Sequence, residues 1–233
     1  MAVAAAADSG LPSDWRTRLR ARLLGAPDHR TDHCRVAGLA RESPALRAQL
    51  SASWPEALTF AAVLVPIIDR ADSPALLMTV RASHLRRHAG QISFPGGRLE
   101  AGDADVVAAA LRETEEEIGV AASAIEPIGF LVDHLVQTGY RITPVVALLQ
   151  PSLTLTLDGT EVAEVFELPL AIALDADRYR VARHSIRGVE VDSWELSFGQ
   201  HTVWGATAGM LANLCDVFGG RTVAERSAGG HNA

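Results

Sequence analysis

The chain has 233 residues, 48% of them hydrophobic and 21% charged, the make-up of a globular protein with one sizeable core rather than a disordered or fibrous one. Its formal net charge of −7 excludes a bulk binder of nucleic acid or membrane surface, while leaving room for a local basic patch. All 21 basic residues are arginine, which compositional drift explains, and the two cysteines, Cys34 and Cys215, make neither a disulfide framework nor a zinc pattern.

In chain order, the opening Met1 to Asp8 lacks the basic stretch of a secretory signal, and residues 1–13 are small and polar enough to predict a mobile tail. Trp15, Leu19, Leu23 and Leu24 recur at helical intervals, with breaks at Gly25-Ala26-Pro27 and at Ser43-Pro44. Residues 14–50 are therefore expected to form two or three short helices beside the main domain. Compact apolar runs at 61–68 and 75–80 predict buried strands joined by a turn over 69–74. Further strands are expected at 128–132, 142–149 and 161–168, then a hairpin of 180–186 with 189–198 turned at Gly188. Helices are expected over 104–118 and over 206–218, the second ending at Gly219, before a tail over 220–233. Strands mixed with a few helices define an α/β (α+β) domain. The expected division is 1–55 for the N-terminal tail and flanking helices, 56–219 for the domain and 220–233 for the tail. No apolar run reaches the length of a membrane span, and His231-Asn232-Ala233 is no peroxisomal address. Two cysteines without a disulfide framework add a reducing compartment, so the expectation is a cytoplasmic protein with no nucleic-acid or membrane partner.

Chemistry concentrates between residues 77 and 120. Arg81, Arg86 and Arg87, with His84 and His88, occupy a loop that ends in Phe94-Pro95-Gly96-Gly97. Guanidinium forks suit phosphate oxygens, although the arginines could simply balance nearby carboxylates. Beyond the glycine turn, the helix carries Glu113, Glu115, Glu116 and Glu117. Like charges so close repel, and they sit at the helix C-terminus, where the macrodipole disfavours them. A hard divalent cation such as Mg²⁺ or Mn²⁺ would offset that cost, because carboxylate oxygens are its preferred ligands. Asp103 is expected to cap the helix start and Gly119 to end it. At about 100° per residue, Val107, Leu111, Thr114 and Ile118 form one apolar stripe, and Glu113, Glu116 and Glu117 lie opposite it, facing a cleft. Arg112 falls between the two faces, where it could hold one glutamate in a single rotamer.

The segment resembles the Nudix box. Gly97, Arg112-Glu113, Glu116-Glu117 and Gly119-Val120 match its pattern. Asp103 stands in place of the first glutamate, one residue more than usual separates it from Arg112, and Thr114 replaces an aliphatic residue. Upstream, Arg81, Ala82, Arg86, Gly90 and Phe94 to Gly97 resemble the additional motif of the coenzyme A pyrophosphatase branch, with Met78 in place of a leucine. Segments 139–146 and 203–209 are similar to that branch too, and the likeness spans roughly residues 58–218.

What the resemblance implies is a Nudix-type α/β/α sandwich with a mixed sheet and flanking N- and C-terminal helices. It also implies Mg²⁺- or Mn²⁺-dependent cleavage of the coenzyme A diphosphate to 3′,5′-ADP and 4′-phosphopantetheine. Glu113 and Glu117 would be the principal metal ligands and Glu116 a third, direct or through water. Gly96 and Gly97 would bring backbone to the metal, and Arg81 and Arg86 would take substrate phosphates. The general base is left open between Glu113, Glu116 and a glutamate from outside the box, Glu161 or Glu164. The partner would be a small-molecule substrate, and since family members often pair, a homodimer is compatible. Two other readings stay open: a Nudix hydrolase of ADP-ribose, a dinucleotide or a nucleoside triphosphate, and a Nudix-fold binding or regulatory module without catalysis.

Overall fold

The long apolar runs become the central strands of a mixed sheet. The computed structural model describes residues 10–30, 33–36, 39–40, 43–52, 55–85, 89–136, 138–186, 189–219 and 223. In chain order the elements are α1 (Trp15–Arg22), β1 (Arg35–Val36), α2 (Pro44–Ser51), β2 (Thr59–Ile68), β3 (Ala75–Arg81), β4 (Ile92–Ser93) and β5 (Gly96–Arg98). There follow α3 (Val106–Ile118), β6 (Ile125–Phe130), β7 (His134–Val136), β8 (Tyr140–Leu149) and β9 (Val162–Pro169). The chain continues through α4 (Leu170–Ala173), β10 (Tyr179–Ile186), β11 (Val189–Phe198), β12 (His201–Trp204) and α5 (Gly205–Gly219).

Strand β2 runs parallel to β8 in unbroken register, Thr59 against Tyr140 through Ile68 against Leu149. Among the described residues the order is β1-β7-β8-β2-β3-β4, with β5 joined to β2, β6 to β8 and β9 to β3. Both faces of β2 are covered, which explains its continuous apolar run. Ala62 and Leu64 pack against α3, whereas Val65 and Ile67 point into the larger cluster shared with α1 and α5. Leu64 is fully buried, a contribution of about 1.5–3 kcal/mol for a side chain of its size.

The mixed sheet with flanking helices is the architecture expected, and three differences have physical causes. A second, antiparallel sheet of β10, β11 and β12 packs on α5, so the hairpin gains a third strand at 201–204. Strands β1, β4, β5 and β7 are two or three residues long, too short to show a period. The N-terminal segment also does more than flank. Trp15 and Leu19 are buried in the main core, β1 pairs with β7, and α2 starts at Pro44 with the Ser43 hydroxyl accepting from the Leu46 N–H. Gly188, residues 1–9 of the first expected tail and all of the second except Val223 lie outside the described residues. No helix among the described residues is long and apolar enough to cross a membrane.

Candidate active site

Strand β5 is where the glycines act. It lies antiparallel to β2, with Gly97 opposite Ala62 and Gly96 opposite Val63. Gly96 has φ +152°, and a Cβ there would run into the backbone of Ala62 and Val63. A methyl group on Gly97 would occupy the space of the Glu113 carboxylate. Glycine therefore lets the catalytic-type helix lie directly on the turn, with backbone and carboxylate in contact.

Helix α3 differs from its sequence expectation at its start and on its buried face. It begins at Val106, and its cap is Asp105, whose carboxylate accepts from the Ala108 N–H at 2.8 Å. Asp103 is not the cap: it accepts from the Glu100 N–H at 2.8 Å and grips Arg112 through both oxygens, each at 3.0 Å. That paired contact holds the Asp103 carboxyl below its ordinary range. Arg112 goes on to Glu113 at 2.9 Å, Glu116 at 3.4 Å and the Arg98 carbonyl at 3.1 Å, so it holds more than one glutamate. The buried face is Val106, Ala109, Ala110, Thr114, Glu117 and Ile118, with Val107 and Leu111 only partly covered.

Glu117 is thus not on an open face. It is 6% exposed, and among the described residues its carboxylate has one hydrogen bond, a long one, 3.3 Å from the Gly96 N–H. Burial pushes its carboxyl up from 4.5 to about 8, against the opposing pull of that N–H and of Arg81. Burial also raises Glu113, partly offset by Arg112. Glu116 is exposed, and among the described residues Arg112 holds it at 3.4 Å.

The field around the two glutamates identifies their neighbours. Glu161 acts on both Glu113 and Glu117, and Arg81 acts on Glu117. Arg81 lies 3.9 Å from Glu161, and its Nε is buried without a hydrogen-bond partner among the described residues. The fold therefore collects Gly96, Gly97, Glu113, Glu117, Glu161 and Arg81 from four different segments. Glu164 goes elsewhere: it lies within β9, beyond a register shift that follows Val162, and its carboxylate is 3.6 Å from His201. Arg86 and His88 lie outside the described residues.

Among the described residues no three His, Cys, Asp or Glu side chains converge on a common point as a metal cage. The donors still suit a hard cation: two carboxylates that burial disfavours as anions, one of them without a strong partner, against a turn with no side chain to block its backbone.

A mixed sheet with a carboxylate helix lying on a glycine turn, and an arginine beside it, is an arrangement suited to cation-assisted chemistry on phosphate groups. The NUDIX domain family matches residues 58–187, and the chain belongs to the Nudix family. Hydrolases of this family act on pyrophosphate bonds in nucleoside diphosphate derivatives and generally use divalent metal ions. One relative is the uncharacterized Nudix hydrolase NudL of Escherichia coli O1:K1, 47% identical over 154 residues, which are 66% of this chain and 80% of that protein. Among solved structures, a MutT/nudix family protein from Enterococcus faecalis is 19% identical with a TM-score of 0.44, covering 73% of this chain and 67% of that one. A Caenorhabditis elegans Ap4A hydrolase complex is 21% identical with a TM-score of 0.41, covering 47% of this chain and 80% of that one.

Proposed function

We propose that the protein is a cytoplasmic coenzyme A diphosphatase, hydrolysing the diphosphate linkage to 3′,5′-ADP and 4′-phosphopantetheine with Mg²⁺ or Mn²⁺. The observation that carries the reading is Arg81. The additional motif upstream of the box begins its arginines there, and that side chain stands beside Glu117 and Glu161 with a buried N–H unanswered. A phosphate oxygen is the acceptor such a donor lacks.

The residues divide the work. Glu113 and Glu117, with the backbone of Gly96-Gly97, would hold the cation, and Glu116 would reach it through water. Arg112, fixed by Asp103, keeps Glu113 in place. A bound divalent cation supplies charge neutralisation for the phosphate oxygens and makes water easier to deprotonate. Glu161 receives the proton of the attacking water as the new P–O bond forms, and the anhydride P–O bond breaks with its electron pair leaving on the departing phosphate. Glu161 is preferred to Glu164 as base because its charge acts on both Glu113 and Glu117, whereas Glu164 lies 3.6 Å from His201. Arg81 and Arg86 take the phosphates, including the 3′-phosphate.

The test is a substrate panel with purified protein and Mn²⁺. Release of 3′,5′-ADP from coenzyme A, faster than turnover of ADP-ribose or dinucleotides, is the expected result. Faster turnover of ADP-ribose would replace this reading with that of another Nudix hydrolase, and no turnover of any member would favour a binding module.

A further inference from the structure

Glu161 comes from outside the box, at the end of the long loop between β8 and β9. Most of that loop is exposed, and a loop of this kind is ordinarily the least ordered part of a domain. A catalytic base needs the opposite, since a misplacement of about 1 Å can cost roughly a hundredfold in rate. The loop is in fact fastened to the C-terminus of α3, where the last carbonyls of a helix have no partner of their own. The Thr156 N–H donates to the Ile118 carbonyl and the Asp158 N–H to the Glu117 carbonyl, both at 3.0 Å. Gly119 ends the helix with φ +72°, and a Cβ on it would press on Thr156, so only glycine lets the loop cross there.

Asp158 is the junction. Its N–H is on the carbonyl of Glu117, and its own carbonyl accepts from the N–H of Glu161 at 3.0 Å and of Val162 at 2.9 Å. Its carboxylate accepts from the Thr160 N–H at 2.9 Å and from the Thr160 hydroxyl at 2.8 Å. One residue therefore joins the backbone of a buried site carboxylate to the backbone of the carboxylate opposite, and its side chain closes the intervening turn.

We infer that Asp158 is a positioning residue: it sets the register of Glu161 against Glu117 by tying the loop to the end of the catalytic helix. The inference rests on the reading of Glu161 as the base. It predicts that the turn, rather than any contact with substrate, determines whether Glu161 is in place. Asn in place of Asp158 keeps the acceptor oxygen for the Thr160 N–H, whereas Ala removes it.

The experiment compares Asp158→Ala, Asp158→Asn, Glu161→Gln and the double variant Asp158→Ala/Glu161→Gln, in the full chain, with whichever of coenzyme A and ADP-ribose is turned over. Asp158→Ala should lower kcat about tenfold or more with KM unchanged, as expected for a displaced catalytic group. Asp158→Asn should recover most of that loss, and Asp158→Ala should cost nothing further in the Glu161→Gln background. Amide exchange supplies a readout independent of turnover. Residues 160–162 should exchange faster in Asp158→Ala while 106–118 keep their protection. Equal losses from Asp158→Ala with and without Glu161, no recovery with Asn, or unchanged exchange at 160–162 would each overturn the positioning role. A Glu161→Gln variant with full kcat would instead remove the assignment of the base.

Discussion

Two buried carboxylates, Asp133 and Glu117, differ in how completely the chain answers them. Asp133 is fully buried, yet both its oxygens are answered: Oδ2 by the Arg141 Nε at 2.5 Å and Oδ1 by the Thr143 hydroxyl at 2.8 Å. Arg141 is itself buried and reaches on to the Asp28 carbonyl, so the network ties the segment after α1 to β8. Glu117 is nearly as buried, and among the described residues its carboxylate has one long contact, to the Gly96 N–H. Burial without compensation costs free energy, and a fold keeps such a group where a ligand completes it. The first carboxylate is finished by the chain, and the second is left for what the proposed reading would bind there.

The largest effect expected is on turnover. Glu117→Gln should lower kcat roughly a thousandfold, the scale of losing one principal electrostatic group of an active site, while the melting temperature holds or rises. Near-normal turnover would make Glu117 a structural residue like Asp133. The mirror experiment is Asp133→Ala, which should destabilise the protein by about 3–5 kcal/mol in denaturant titrations because Arg141 is left buried and unpaired. A loss as small as that of a surface substitution would erase the contrast.

A smaller effect is expected where the two types of site meet. Arg112→Ala frees Glu113 from its clamp and should reduce Mn²⁺ affinity or activity about 10–100-fold, measured by calorimetry and by kcat/KM. An unchanged affinity would show that Glu113 needs no such support.

The smallest effect is a pH dependence. In the metal-free protein the Glu117 carboxyl titrates near 8 when folded, against an ordinary value of 4.5, so the folded state retains a proton that the unfolded chain releases. The stability this contributes is fully present below about pH 4.5 and is lost as pH rises toward 8. Melting temperature should therefore fall over that window more steeply in the parent protein than in Glu117→Gln. Mn²⁺ should also raise it more at pH 8 than at pH 5. Parallel profiles for the two proteins would contradict the burial of Glu117 as the cause.

The positions at which sequence and structure part are instructive. Helical spacing places Glu113, Glu116 and Glu117 together, and their charge shows which helix carries the chemistry. Spacing does not show that Glu117 borders the apolar stripe closely enough to be buried beside Thr114. Asp103 and Asp105 look alike as helix caps. Only the approach of Arg112, with its paired donors, decides that Asp103 is taken and Asp105 is left to cap. Glu161 and Glu164 are equivalent as letters in an alternating strand. Their separation depends on where β9 begins, after Glu161, and on the shift in its register against β3 before Glu164.

The sequence by itself determined the local features of this protein: its long strands, its carboxylate helix, its glycine turn and the upstream arginine motif. Each depends on residues close together in the chain, where periodicity and backbone freedom act. The tertiary structure alone decided which carboxylate is buried, which glutamate faces the box and how an exposed loop is fixed to a helix end. Those outcomes depend on desolvation and on hydrogen bonds between segments distant in sequence, and both arise only once the layers have packed.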